Sequence, residues 1–115
     1  KEIKDLKVSS HLYIKRDGEI IQFVPFNKRA WHAGDSVFKG VPNCNDFSIG
    51  IELEGADDDI FTEEQYDSLA SATKEIIKKY PLISKDNITG HSEIAPNRKT
   101  DPGNKFDWEQ YLKLV

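Results

Sequence analysis

Cysteine is almost missing from this sequence: Cys44 is the single one in 115 residues, so no intrachain disulfide can form. That excludes a small secreted scaffold stapled by disulfides, and a reducing compartment, the cytoplasm, is the expectation. Methionine is absent and the chain opens on Lys1, so a preceding segment, with any targeting signal it carried, is expected to be missing. No apolar run approaches the roughly 18–20 residues a membrane-spanning helix needs, so no span is expected. An excess of positive charge is lacking too: 16 Lys and Arg face 20 Asp and Glu, a formal charge of −4 with a pI near 5.3. A nucleic-acid partner would call for a basic stripe, and a metal nuclease for a basic groove, so neither is expected.

The 37% apolar content, with charge scattered evenly, describes a globular chain. Its length suits one domain, residues 1–115, with one core. Residues 9–15 and 19–24 are rich in β-branched and aromatic types and flank Arg16, Asp17 and Gly18, which predicts a hairpin with Gly18 at positive φ. Residues 25–46 lose all period and are expected to form an ordered surface loop. Residues 47–54 alternate strictly, with Phe47, Ile49, Ile51 and Leu53 on one face and Ser48, Gly50, Glu52 and Glu54 on the other, as in a strand with one apolar side.

Thr62 opens a capping box closed by Gln65, and Tyr66, Leu69, Ala70, Thr73, Ile76, Ile77 and Tyr80 recur at helical spacing until Pro81 ends the run. Residues 87–91 are read as a short strand end. A last helix begins at Asp107, with Trp108, Tyr111, Leu112 and Val115 as its buried stripe. This order predicts an α/β fold with a mixed sheet flanked by helices.

The residues with chemical potential are few. His91 follows Gly90, and Asp101 lies ten positions on across a loop able to fold back. An imidazole nitrogen and a carboxylate oxygen are zinc donors, although two ligands fall short of the three a catalytic site takes. Spacing alone is more often met by a surface histidine and a helix-capping aspartate. Lys99 suits a fixed charge aimed at an oxyanion, or plain surface. Glu52 interrupts Ile and Leu beside the small Gly50, which leaves room for a ligand; the alternative is a solvated face shared with Glu54. His32, beside Trp31 in AWHAG, suits packing, and His11 suits a satisfied half-buried histidine and no metal. Cys44 has no basic neighbour in sequence to activate it.

Taken together, SSHLYIKRDGEIIQFVPFNKRAWHAG, CNDFSIGIELEG and TGHSEIAPNRKTDPGNKFDW resemble the AmpD-type N-acetylmuramoyl-L-alanine amidases in order and spacing. That family shares its fold with phage lysozyme-type amidases and peptidoglycan recognition proteins: a central mixed sheet flanked by helices, with a zinc cleft on one face. The resemblance implies Zn2+ as cofactor, His91 and Asp101 as two of its ligands, and Glu52 and Lys99 as catalytic groups. It implies a small muropeptide substrate, probed by Trp31 and cationic residues such as Arg98, Lys7 and Lys39. Ser10 before the hairpin histidine, together with an acid at position 52, matches the internal, cytoplasmic branch. The family's first zinc ligand is a histidine on an earlier strand that would precede Lys1. The expectation is therefore a domain lacking its N-terminal strand; a non-catalytic relative that has lost the ligand is the alternative.

Overall fold

A computed structural model describes residues 10–33, 35–56 and 58–115; Lys7, Ser9 and Gly34 lie outside the described residues. The predicted hairpin is formed by β1 (Leu12–Ile14) and β2 (Ile20–Gln22), antiparallel with Tyr13 opposite Ile21. Gly18 turns the chain between them at φ 90°, a region open to glycine at no steric cost. Strand β5 (Ile51–Leu53) adds to the other side of β1 in parallel, giving the order β2-β1-β5 and a mixed sheet.

Helix α1 (Glu63–Lys79) starts as its capping box dictates: the Thr62 side chain accepts from the Gln65 amide, and the Gln65 side chain accepts from the Thr62 amide. Gln65 also fastens the helix to the sheet, because its amide group donates to the carbonyls of Ile14 and Glu54 at 3.3 and 2.9 Å. Fully buried, it leaves no polar atom unpartnered, which is the condition for placing an amide in a core. The apolar stripe of α1 packs with Ile14 from the sheet and with Phe61, Phe106 and Tyr111, while Ile51 and Leu53 close the cluster from β5. Helix α3 (Trp108–Leu114) is capped by Asp107 and lies against α1 through Tyr111, whose hydroxyl meets that of Thr73 at 2.6 Å.

Two expectations need correction. The segment 25–46 is more than a surface loop: it contains a small hairpin, β3 (Val37–Phe38) and β4 (Val41–Pro42), and buries Ala30, His32, Ala33, Ser36, Cys44 and Asn45. Asn45 accepts from the Ala33 amide and Ser36 from the Cys44 amide, so side chains replace the missing ladder. Ala33 and Cys44 then form an apolar patch with Ile94. Residues 87–91 are not a strand. A 3-10 turn at Lys85–Asn87, closed by Ser84 and Asn87 pairing as a local cap, is followed by a single helical turn, α2 (His91–Ile94), which begins after Gly90. Among the described residues no helix is long and apolar enough to cross a membrane.

Candidate active site

The alternation that makes β5 a strand also decides which side chains share a face. The strand is shorter than the alternation of residues 47–54 predicts, Ile51–Leu53 alone, and from its centre Glu52 Oε2 stands 3.9 Å from His91 Nδ1. Glu54, next on that face, is used otherwise: it accepts the backbone N–H of Arg16 at 2.8 Å and so ties the hairpin turn to the end of β5. The two carboxylates that the sequence leaves equivalent are thus separated by their partners.

His91 is the first residue of α2, and the chain after it doubles back. Arg98 and Lys99 donate their amides to the Ala95 carbonyl, Gly103 donates to Thr100, and Ser92 donates to the Asp101 carbonyl at 3.0 Å. Gly90 makes the return possible, since a Cβ there would meet Pro102 Cδ at 2.6 Å. The outcome is a 2.5 Å contact between His91 Nδ1 and Asp101 Oδ2. One ligand atom from each of Glu52, His91 and Asp101 lies within 4.8 Å of the others, His91 buried and the two acids partly exposed. One imidazole nitrogen with carboxylate oxygens, open to solvent on one side, is a donor set that suits zinc. Burial opposes the Asp101 charge, but the hydrogen bond and charge of His91, with Lys99 beyond, outweigh it and hold the carboxyl below its ordinary value. Lys99 does not join these three groups: it lines a separate cleft with Ser92, Pro96 and Phe106, and among the influences on Asp101 its charge is the weakest.

Sequence reading missed His32, taken there as packing. The loop brings it, 5% exposed, against the far side of His91, with His32 Nδ1 3.0 Å from His91 Nε2. Its other nitrogen is 2.8 Å from Ser48 Oγ, which donates in turn to the Cys44 carbonyl at 2.6 Å. The space beside Gly50 is filled by this ring and not by a ligand: a Cβ on Gly50 would lie 2.3 Å from His32 Cγ. Burial first, then the neighbouring His91, His11 and Lys99, push His32 down to about 4. His11 is the satisfied histidine expected, although fully buried: Nδ1 accepts from the Gly50 amide at 3.1 Å and Nε2 lies 2.7 Å from the Lys28 carbonyl. The signal for His32 was faint. It lay in a small residue and a hydroxyl, Gly50 and Ser48, at alternate positions just before Glu52.

With this geometry in view, the chain was compared with known proteins. The family description N-acetylmuramoyl-L-alanine amidase matches residues 1–104. The chain belongs to that amidase family. It is 59% identical over 114 residues to the 1,6-anhydro-N-acetylmuramyl-L-alanine amidase AmpD of Salmonella typhimurium, covering 99% of this chain and 60% of that protein. A crystal structure of a selenomethionine AmpD derivative superposes with a TM-score of 0.91 at 58% identity, covering 94% of this chain and 60% of that one. The amidase AmiD from Escherichia coli, solved with the substrate anhydro-N-acetylmuramic acid-L-Ala-D-γ-Glu-L-Lys, superposes at 0.89 with 35% identity, over 97% of this chain and 51% of AmiD. The chain thus spans about 60% of the length of the AmpD relatives it matches. The mixed sheet with flanking helices is the fold of these amidases.

A cavity of about 890 Å³ opens at this site, lined by His32, Glu52, His91 and Asp101 and continuing along the apolar sides of β5 and α1. Its size falls within the usual range of small-molecule sites. The expected substrate-binding residues lie apart from it. Trp31 is 40% exposed, with the Arg29 guanidinium 4.1 Å over its ring, and is not in the cavity wall. Arg98 donates to the carbonyls of Ala33 and Asp35 at 2.5 and 2.7 Å, which fastens the loop carrying Asp101 to the loop carrying His32. Lys39 sits at the tip of the β3–β4 hairpin, its ammonium over Phe38. Lys28 and Arg29 are the cations in the cavity wall.

Proposed function

We propose that this chain carries the catalytic cleft of a zinc-dependent amidase of peptidoglycan recycling, acting in the cytoplasm. It would hydrolyse the amide between N-acetylmuramic acid, in its 1,6-anhydro form, and the L-alanine of the stem peptide. The observation that carries this reading is the convergence of Glu52, His91 and Asp101, with ligand atoms within 4.8 Å of one another at the cavity. Its chemistry agrees with what the AmpD relatives are named for and with the muropeptide bound to AmiD. The cytoplasmic setting is supported by a lone, buried Cys44 that needs no oxidising compartment.

His91 and Asp101 would hold the zinc ion, which when bound supplies Lewis acidity, polarising the scissile carbonyl and making water at the site easier to deprotonate. Glu52 takes the proton of the attacking water and returns it to the alanine nitrogen, so that the amine departs neutral. The Lys99 ammonium stabilises the charge that grows on the carbonyl oxygen. Water thereby adds hydroxyl to the lactyl carbon and hydrogen to the nitrogen, releasing a carboxylic acid and a free stem peptide. Arg98, engaged with loop carbonyls, contributes by holding the site together, and Trp31, outside the cavity, takes no part in sugar binding. Lys28 and Arg29, cations of the cavity wall, would meet peptide carboxylates.

The test is release of free stem peptide from anhydro-N-acetylmuramyl-tripeptide, with zinc and after chelation. Activity should need the metal, and Glu52→Gln should lower kcat on the order of 10²–10³ with zinc content unchanged. Full activity in the chelated protein or in Glu52→Gln would refute the mechanism. Binding of the fragment without any peptide release would make the protein a non-catalytic wall-fragment binder instead.

A further inference from the structure

We infer that His32 is a positioning residue for the metal site, setting which nitrogen of His91 is free to bind zinc. The inference rests on the zinc reading above and concerns a residue that stands outside the candidate ligand group. The argument is a count of protons along one chain of contacts. The Ser48 hydroxyl has one proton, and the 2.6 Å contact with the Cys44 carbonyl, which can only accept, uses it. Ser48 Oγ must then accept at its 2.8 Å contact with His32, so Nε2 of His32 carries the N–H. A neutral imidazole has one N–H, which leaves His32 Nδ1 as a bare lone pair 3.0 Å from His91 Nε2. That lone pair requires a proton on His91 Nε2. His91 Nδ1 is the remaining nitrogen: without metal it donates to Asp101 Oδ2 at 2.5 Å, with Glu52 beside it, and it is this proton that a bound zinc would displace.

Ligand histidines are held this way elsewhere: the hydrogen bond made by one nitrogen decides that the other is metallated, and losing that outer partner costs about 10–100-fold in metal affinity. Here the outer partner is another histidine, which offers a single acceptor at a fixed angle. Its seat is tight. A Cβ on Gly50 would come within 2.7 Å of three atoms of the His32 ring, so the glycine is what lets the ring sit this close to the chain entering β5. The Ser48–His32–His91 series therefore ties the segment that leads into β5 and Glu52 to the orientation of the His91 ring.

Two conservative variants separate positioning from packing. Asparagine puts an amide oxygen near the place of imidazole Nδ1, whereas glutamine puts its amide near Nε2 and leaves the Nδ1 place empty. His32→Gln should bind zinc about 10–100-fold more weakly in a chelator competition, while His32→Asn should stay within about threefold of the parent. Both melting temperatures, taken without metal, report whether the loop still folds. Long-range imidazole nitrogen–proton spectra of the unaltered protein need no variant: His91 should show a protonated Nε2 with and without zinc, and a metal-shifted Nδ1 when loaded. Equal zinc affinity in His32→Gln, His32→Asn and parent, or a His91 that binds through Nε2, overturns the inference and leaves the amidase reading intact. A parent protein that takes up no zinc through His91, judged by an unchanged affinity in His91→Ala, removes the amidase reading first and this inference with it.

Discussion

Under α1, Phe106 meets the rings of Phe61, Tyr66, Trp108 and Tyr111 at centroid distances of 4.8–5.9 Å, whereas His11, His32 and His91 are buried with their nitrogens assigned to particular partners. The first region gains free energy from area removed from water, a term without direction, so any side chain of similar volume retains most of it. The second gains little from area. Each ring there is held by contacts that only one placement of donors and acceptors can meet, and a buried polar atom left without its partner is costly. The aromatic cluster supplies stability and tolerates substitution. The histidine cluster tolerates almost none, because its product is the position of an atom.

That contrast can be tested at several scales. The largest expected effect is on the apolar side: Phe106→Ala should cost about 3–5 kcal/mol, since it removes a hub ring and leaves a cavity. Urea unfolding of the two proteins measures it; a loss under 1 kcal/mol would mean that the cluster is not the main source of stability.

Acid should act on the other region. His32 is held at about 4 against an ordinary 6.5, and burial lowers His11 as well, so between those values the unfolded chain takes up protons that the folded chain refuses. Stability is then complete above pH 6.5 and falls as pH drops toward 4, by about 3 kcal/mol for His32 alone at 1.36 kcal/mol per unit. Unfolding midpoints of the metal-free protein at pH 7.5 and about pH 4.5 should show this drop. His32→Asn should remove most of it, and a flat profile would show that these rings titrate freely.

The smallest effect expected is at the cap of α1, where Thr62→Ala removes one side of the box with Gln65 and should cost about 1 kcal/mol. Thermal melting would register it, and the site should remain intact.

Much of this molecule was legible one residue at a time. The hairpin, the capped helix and the final helix follow from period and capping, which are local, and the structure agrees to within the frayed ends. Glu52, His91, Lys99 and Asp101 could be singled out by motif, and three of them meet in space while Lys99 lines a neighbouring cleft. The loop of residues 25–46 was not legible. Its order comes from Ser36 and Asn45 answering backbone amides across the loop, a matching that has no period to detect. The same holds for Arg98, which reads as a free surface cation until two carbonyls of a distant loop are brought to it.

Local chemistry thus dictated the elements, the strand face that carries Glu52 and the glycines that permit close approach, because steric and capping rules act within a few residues. Which carboxylate faces His91, and that a second imidazole stands behind it, depended on contacts between positions 32 and 91, 59 apart in the chain. Hydrogen bonds are directional and short, so only the assembled backbone could decide which of several equally suitable groups would meet.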